Sequence, residues 1–179
     1  RHLEGSIRFE TFRELARDTG IELPLRELRR RTSMRGERPG FKRFLSKFEL
    51  YRGLYPSRDW IERVAFEAAE DARLDGVIHL ELRFSPTHFG RRMGAPGEDV
   101  AAWVVRGARR AGIAVGFIAT FGRDFGVKGN APTTRAVEGT SFFDGIDLAG
   151  DERVPAEAFR RHFKRLGLPS TRDIVFLAC

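Results

Sequence analysis

Apolar residues recur every three to four positions in four stretches of the chain, which is the spacing of one buried helix face. The first predicted helix follows Ser6, a plausible N-cap, and ends before Gly20. The others run from Pro56-Ser57 to Gly76, from Glu98-Asp99 to Gly112, and over Ala156–Arg165. Residues 22–40 predict a charged connection with one short helix around Leu25–Arg31.

Three further stretches are rich in β-branched and apolar residues and predict strands. They cover Val77–Phe84, Ile113–Phe121 and Phe142–Leu148. Residues 122–134, between the second and third strands, predict a polar loop that leads into a weak helix. Strands that alternate with helices are typical of parallel βαβ units.

The strand over Val77–Phe84 separates apolar from polar side chains, because successive residues point to opposite faces. We expect Ile78, Leu80 and Leu82 to pack under helices. We expect His79, Glu81 and Arg83 to face the interior of a curved parallel sheet. Unpaired buried charges are costly, so these three predict a structural ion network.

The composition fits one globular domain, with 179 residues of which 41% are hydrophobic. The net charge is +7, but the arginines are scattered among acids, so we predict no nucleic-acid partner. No apolar run approaches a membrane span, which predicts no membrane partner. The single cysteine, Cys179, excludes an internal disulfide and favours a reducing, cytoplasmic location.

Polar motifs stand where strands end or would end. His2-Leu3-Glu4-Gly5-Ser6 opens the chain, Ser85-Pro86 follows one strand, and Asp147-Leu148-Ala149-Gly150-Asp151-Glu152 closes another. The carboxyl ends of barrel strands form one catalytic rim, so we expect Glu4 and Gly150 at that rim with His2 in the same cleft. A bare His-x-Glu is more often a surface pair, although a histidine beside an acid also suits a metal site.

Taken together, these stretches resemble the adenosine deaminase family of metal-dependent amidohydrolases. The resemblance implies an α/β fold, a partial TIM (β/α)8 barrel corresponding to roughly its first half. It implies a zinc site in which His2 is the second histidine of a His-x-His pair whose first member would precede Arg1. It implies that Glu4 binds a sugar hydroxyl, that Gly150 contacts the purine through its backbone, and that Arg83 is structural.

Aromatic residues at 41, 44 and 48 form a helical stripe, a pattern that by itself favours a core. The resemblance adds a second interpretation. In the family a Phe-Leu-x-x-Phe segment helps to cover the nucleoside, and Phe44-Leu45-Ser46-Lys47-Phe48 matches it. Phe44 and Phe48 are therefore candidate substrate contacts.

The resemblance covers residues 1–168 and fails over 169–179, a divergent tail without the family's His-Ala-Gly-Glu. The family's catalytic glutamate is therefore absent, and we assign no catalytic residue in this chain. A frameshift, a truncation or an incomplete sequence would explain the difference, and we expect the chain to be inactive alone. His162 lies among arginines and lysines, and we expect it to be a solvated residue of the last helix. His88 follows Pro86, and we expect it to lie in a loop at the rim, where it is a candidate for substrate contact.

The predicted function is zinc-dependent hydrolytic deamination of adenosine or a related 6-aminopurine, with a small-molecule purine nucleoside or base as partner. Adenine or aminofutalosine deaminases are alternatives, because they share these motifs. A non-catalytic remnant or interaction fragment is an alternative of another class, since half a barrel leaves sheet edges unpaired. The sequence leaves the oligomeric state open.

Overall fold

The computed structural model describes residues 1–51 and 54–166. The described chain contains helices α1 (Phe9–Asp18), α2 (Leu25–Thr32), α3 (Phe41–Lys47), α4 (Arg58–Leu74), α5 (Pro86–Gly90), α6 (Gly97–Arg109), α7 (Gly126–Gly129), α8 (Ala131–Gly139) and α9 (Glu157–Arg165). Its strands are β1 (His79–Phe84), β2 (Ala114–Gly122) and β3 (Gly145–Ala149). Three short 3-10 turns cover Leu3–Gly5, Phe48–Tyr51 and Arg123–Phe125.

The three strands form a parallel sheet in the order β1-β2-β3. His2 adds a parallel bridge to Arg83 on the outer side of β1, and the backbone N–H of Arg83 donates to the carbonyl of Arg1 at 2.9 Å. Consecutive strands are therefore neighbours, and helices connect them. The carboxyl ends of all three strands lie at one edge of the sheet, as the βαβ pattern predicted.

The core lies between one face of this sheet and the helices. Leu82 and Phe84 on β1 are fully buried in the same cluster as Val64 of α4 and Val104 of α6. Helices α4 and α6 cross closely at Gly107, where an added Cβ atom would lie 2.2 Å from the backbone oxygen of Glu62. The missing side chain thus sets how near the two helices can pack.

The first predicted helix begins later than expected. Ser6 ends the 3-10 turn, and its hydroxyl donates to the carbonyl of His2 at 2.5 Å, so the N-cap prediction was wrong. Helix α1 instead begins after Arg8. Ser6 stabilises the turn that follows His2. Its position before the apolar residues of α1 does not predict this role.

Residues 122–134 are largely helical, where the sequence predicted a loop that leads into a weak helix, so only the loop part of that prediction was wrong. The side chain of Asn130 organises this segment. Its Oδ1 accepts the N–H of Gly122 at 2.9 Å, and its Nδ2 donates to the carbonyls of Gly122 and Gly126. These hydrogen bonds stabilise the helical turns of the segment. The apolar periodicity of the segment is too weak to predict those turns.

On β1 the predicted alternation is confirmed only in part. Leu80 and Leu82 are buried, but Ile78 is 89% exposed because it lies just before the strand, which corrects the expectation that it packs under helices. Arg83 is buried, whereas His79 and Glu81 are exposed. Neither of these two side chains forms an ion pair within the described residues, so the three-residue ion network was wrong.

Two further predictions concern the ends of the molecule. The boundary at residue 168 and the divergent tail over 169–179 lie outside the described residues. Across residues 1–51 and 54–166, no helix combines the length and apolar character that crossing a bilayer requires.

The α4–α6 crossing predicts that Gly107→Ala destabilises the chain, because its new methyl group meets fixed backbone rather than a movable side chain. We expect the free energy of unfolding in urea to fall by about 1–3 kcal/mol. Gly40→Ala is the matched control, since its Cβ would meet only Arg43 Cβ at 3.9 Å. Equal midpoints for the two variants would contradict the close-crossing account.

Candidate active site

His2 lies at the carboxyl edge of the sheet, and contacts of its backbone and of the turn after it hold it there. Its bridge to Arg83 fixes it to β1, and the turn that follows is anchored by the fully buried Leu3. Its imidazole Nδ1 lies 3.9 Å from Glu4 Oε2, and its Nε2 lies 3.9 Å from Asp147 Oδ2. The ring therefore stands between two carboxylates, with its side chain 32% exposed.

Glu4 turns its carboxylate toward the start of the segment that follows β1. Its Oε1 accepts the backbone N–H of Ser85 at 2.8 Å. Its Oε2 is buried and has no hydrogen-bond partner in the described part of the chain. Burial raises the pKa of this carboxyl to about 7, partly offset by its backbone hydrogen bonds. Near neutral pH it can therefore hold a proton or accept a hydroxyl donor.

Below His2, Arg83 and Asp147 form a buried ion pair across the sheet. Arg83 Nη1 lies 3.2 Å from Asp147 Oδ2, with side chains 9% and 6% exposed. Burial raises the pKa of Asp147, and Arg83 opposes that shift. Burial, followed by the charge of Arg83, lowers the pKa of His2 to about 4. The imidazole is thus neutral at pH 7, which is the form that binds a metal.

Gly150 follows directly after β3 at the same edge. Its φ of 108° belongs to the region that favours glycine. A Cβ atom there would lie 3.1 Å from Asp124 Oδ1 and 3.3 Å from the backbone nitrogen of Arg123. A side chain at this position would therefore be strained and would crowd the 3-10 turn over Arg123–Phe125, so the chain requires glycine here.

The aromatic stripe of α3 does not belong to the core. All seven residues of α3 are described and none is buried, and Phe44 is 42% exposed. The rings of Phe44 and Phe48 meet edge to face at 5.1 Å. Phe48 also borders the turn, because a Cβ on Gly5 would lie 3.6 Å from its ring. The structure thus places this aromatic pair beside Glu4 and Gly5.

Two histidines differ from their sequence predictions. His88 lies in α5 rather than in a rim loop, and it is 8% exposed with its ring against Tyr55 and Phe89. His162 is half-buried rather than solvated. Its Nε2 lies 3.0 Å from Thr134 Oγ1, and burial lowers its pKa. Both side chains have packing partners that are distant in sequence.

Sequence reasoning missed Asp147 and the Ser85 backbone as parts of the site. Asp147 belongs to a motif that was recognised, but its pairing with Arg83 joins residues 64 positions apart. The N–H of Ser85 reaches Glu4 across 81 positions. The sequence showed the motifs that carry these residues, but it did not show which of the motifs contact one another.

A zinc centre can be tested against these side chains. Catalytic zinc takes three protein ligands and a water. Within the described residues, no three His, Cys, Asp or Glu side chains are grouped to hold a metal. His2 fits as one imidazole ligand, whereas Asp147 is engaged by Arg83 and Glu4 by Ser85. The described residues do not complete a zinc centre on their own.

The sequence model of adenosine deaminase matches residues 1–172. The chain belongs to the adenosine deaminase family. Adenosine deaminases of Edwardsiella ictaluri (strain 93-146) and Vibrio cholerae are each 33% identical to it, over 174 and 175 residues. These alignments cover 92% and 93% of this chain and 52% of each relative. The chain thus spans about half the length of the family members it matches.

Solved structures confirm the fold of this family member. A zinc-bound cog1816 amidohydrolase from Burkhoderia ambifaria matches 91% of this chain and 46% of its own, with 29% identity and a TM-score of 0.80. An adenine deaminase from Arthrobacter aurescens matches 92% of this chain and 52% of its own, at 24% identity and a TM-score of 0.74. The described elements are therefore part of a (β/α)8 barrel.

The buried ion pair predicts a large loss of stability when one partner is removed. Arg83→Met leaves Asp147 buried without its counter-charge, so we expect roughly 3–5 kcal/mol of destabilisation in urea unfolding. Adding Asp147→Leu should recover most of that loss. Arg160→Met is the control, because it breaks an exposed pair with Glu157 and should change little. A double variant no more stable than Arg83→Met would refute this account.

The raised pKa of Glu4 predicts a pH-dependent stability of the metal-free chain. Its folded pKa of about 7 lies above the ordinary 4.5, so the contribution is complete below pH 4.5 and is lost as the pH rises through 7. Relative to Glu4→Gln, the unmodified chain should lose up to about 3 kcal/mol across that window. Urea unfolding with a chelator at several pH values measures it. Exposed Glu152→Gln is the control, and the same trend in both variants would argue against a special role for Glu4.

Proposed function

We propose that the protein to which this chain contributes deaminates adenosine or a closely related 6-aminopurine nucleoside by hydrolysis. Membership of the adenosine deaminase family supports the reaction class. The meeting of His2, Glu4 and Gly150 at one edge of the sheet supports the placement of the site. The cytoplasmic location and the small-molecule partner remain predictions of the sequence.

The observation that carries the choice of substrate is the buried, unpartnered Oε2 of Glu4. Leaving such an atom unpaired costs about 1–3 kcal/mol, and a ligand hydroxyl that donates to it removes the cost. A ribose supplies such hydroxyls and a free purine base does not. This argument favours a nucleoside over adenine.

The other candidate residues fit the same ligand. Phe44 and Phe48 present an aromatic pair beside the turn that carries Glu4, and such a pair can cover a purine ring. Gly150, at the same edge of the sheet, has no side chain that could stand between its backbone and the edge of the ring. In this proposal the described chain supplies contacts to both the sugar and the purine ring.

Zinc dependence is also part of the proposal. A bound zinc would activate the water that replaces the 6-amino group. His2 would be one of its ligands, held neutral and in place by burial and by its bridge to β1. The described residues contain neither a complete ligand set nor an assigned general acid, so the 179-residue chain is proposed to be inactive alone.

The proposal predicts that the purified 179-residue chain with added zinc releases no ammonia from adenosine at an enzymatic rate. Joining it to the remaining half of the Edwardsiella ictaluri relative, with the upstream histidine restored, should produce zinc-dependent release. His2→Ala in that fusion should abolish it. His79→Asn is the control, because His79 lies at the opposite end of β1. Turnover by the isolated chain near that of the fusion would overturn the proposal.

The nucleoside assignment predicts a selective effect of Glu4→Gln in the same fusion. Removing the carboxylate should lower kcat/KM for adenosine by roughly 10–100-fold, the value of one or two charge-assisted hydrogen bonds. Any turnover of adenine should be unaffected. A loss of equal size for both substrates would show that Glu4 acts on the chemistry or on the fold rather than on the sugar.

A further inference from the structure

Almost all of the net charge of the chain resides in one segment. Residues 22–47 contain nine arginines and lysines against three glutamates, a net charge of +6, whereas the whole chain carries +7. The other 23 arginines and lysines are nearly matched in number by 22 acids, so the rest of the chain carries a net charge of only +1. The segment comprises α2, the turn after it and α3.

Part of this surface is concave. A pocket of about 690 Å³ lies between the end of α2 and α3, and it is lined by Arg30, Arg35, Gly36, Glu37, Arg38, Arg43, Ser46 and Lys47. Its volume falls within the range of small-molecule sites, roughly 300–1,000 Å³. Five of the eight lining residues are cationic. The pocket therefore has both the size and the charge for a compact anion.

The charges in the pocket are not internally balanced. Glu37, the one acid among its described lining residues, is engaged by Lys47 and lies 3.8 Å from Arg43. Arg30 is held by Glu27 at 2.8 Å. The side chains of Arg35 and Arg38 form no ion pair within the described residues. Two guanidinium groups are thus left to face the pocket without a counter-charge.

The pocket is distinct from the candidate active site, although both touch α3. Arg43, Ser46 and Lys47 line the pocket from one face of the helix. Phe44 projects from a different side of α3, and Phe48 follows the helix in the 3-10 turn, where it borders Gly5. A ligand in the pocket would contact α3 on the side of Arg43 and Lys47, away from Phe48, which borders the turn that carries Glu4.

We propose that this pocket binds the triphosphate group of a small anion, such as inorganic triphosphate or a nucleoside triphosphate. Guanidinium groups form paired hydrogen bonds with phosphate oxygens, and several of them converge here. Single-stranded nucleic acid would also require aromatic rings among the cations for base stacking. Phe41 and Phe44 do not line the pocket, and the Phe9 ring is covered by Arg29 at 4.1 Å. A compact polyphosphate fits better than a polymer.

The test is calorimetric titration of the 179-residue chain with inorganic triphosphate at 0.1 M salt. We expect one site, weakened about tenfold or more in Arg35→Gln/Arg38→Gln, a change of at least 1.4 kcal/mol. Arg73→Gln/Arg109→Gln removes the same charge from exposed helix positions outside the pocket, and should bind within twofold of the unmodified chain. Arg35→Gln alone, which removes one guanidinium, should show a smaller loss in the same direction.

Adenosine triphosphate distinguishes the two sources of the same chemistry. Tighter binding than inorganic triphosphate would identify a nucleotide, and equal binding would identify the phosphates alone. Three results would overturn the proposal: no binding of triphosphate, equal weakening in both double variants, or binding of a 20-nucleotide single strand without binding of triphosphate. Circular dichroism of each variant confirms that it is folded.

Discussion

The buried pair of Arg83 and Asp147 is the interaction on which the rest of the site depends. It joins β1 to β3 across the intervening strand, at a depth where either charge alone would be strongly destabilising. The same Asp147 oxygen lies 3.9 Å from the imidazole of His2, and Arg83 carries the backbone bridge that holds His2 to the sheet. The ion pair between Arg83 and Asp147 thus holds the ends of β1 and β3 together, and the backbone of Arg83 holds His2 at the end of β1.

That arrangement explains how a short N-terminal motif becomes part of a site. Glu4 reaches the backbone of Ser85 because the His2 bridge sets the direction of the following turn. Phe48, in the turn after α3, packs against Gly5, and its contact with Phe44 brings both rings to the same place. The site is assembled from three distant regions of sequence, and the parallel sheet supplies their common edge.

The sequence predicted much of this fold because periodicity is a local property. Helices α1, α4 and α6 follow from the spacing of apolar residues, and the three parallel strands follow from their apolar and β-branched composition. The third strand begins at Gly145 rather than at the predicted Phe142. The sequence-based predictions failed where tertiary contacts decide. Ile78 stops short of the strand, Asn130 orders a helical segment through three hydrogen bonds, and His88 and His162 find distant partners. The prediction that the aromatic stripe of α3 belongs to a core was wrong for another reason. A helical pattern does not show whether an apolar face packs against the core or lines a cleft.

For the candidate site, the motifs predicted which strand ends would meet but not the contacts between them. The partner of Arg83 could not be chosen among the acids of the chain without the register of the sheet. The basic pocket was missed for a similar reason: charge counted along the whole chain hides a local excess that folding gathers on one surface. The sequence gives the type of each residue, but it does not give the distances between residues that define the site and the pocket.

The central claim is that His2 and Glu4 form the metal-facing and sugar-facing parts of one nucleoside site. A crystal structure of the family-length fusion with zinc and inosine, the product of adenosine deamination, tests it most directly. The account predicts a His2 ring nitrogen about 2.0–2.1 Å from the metal and Glu4 Oε2 about 2.5–3.0 Å from a ribose hydroxyl. Inosine bound elsewhere, or a metal held without His2, would contradict it.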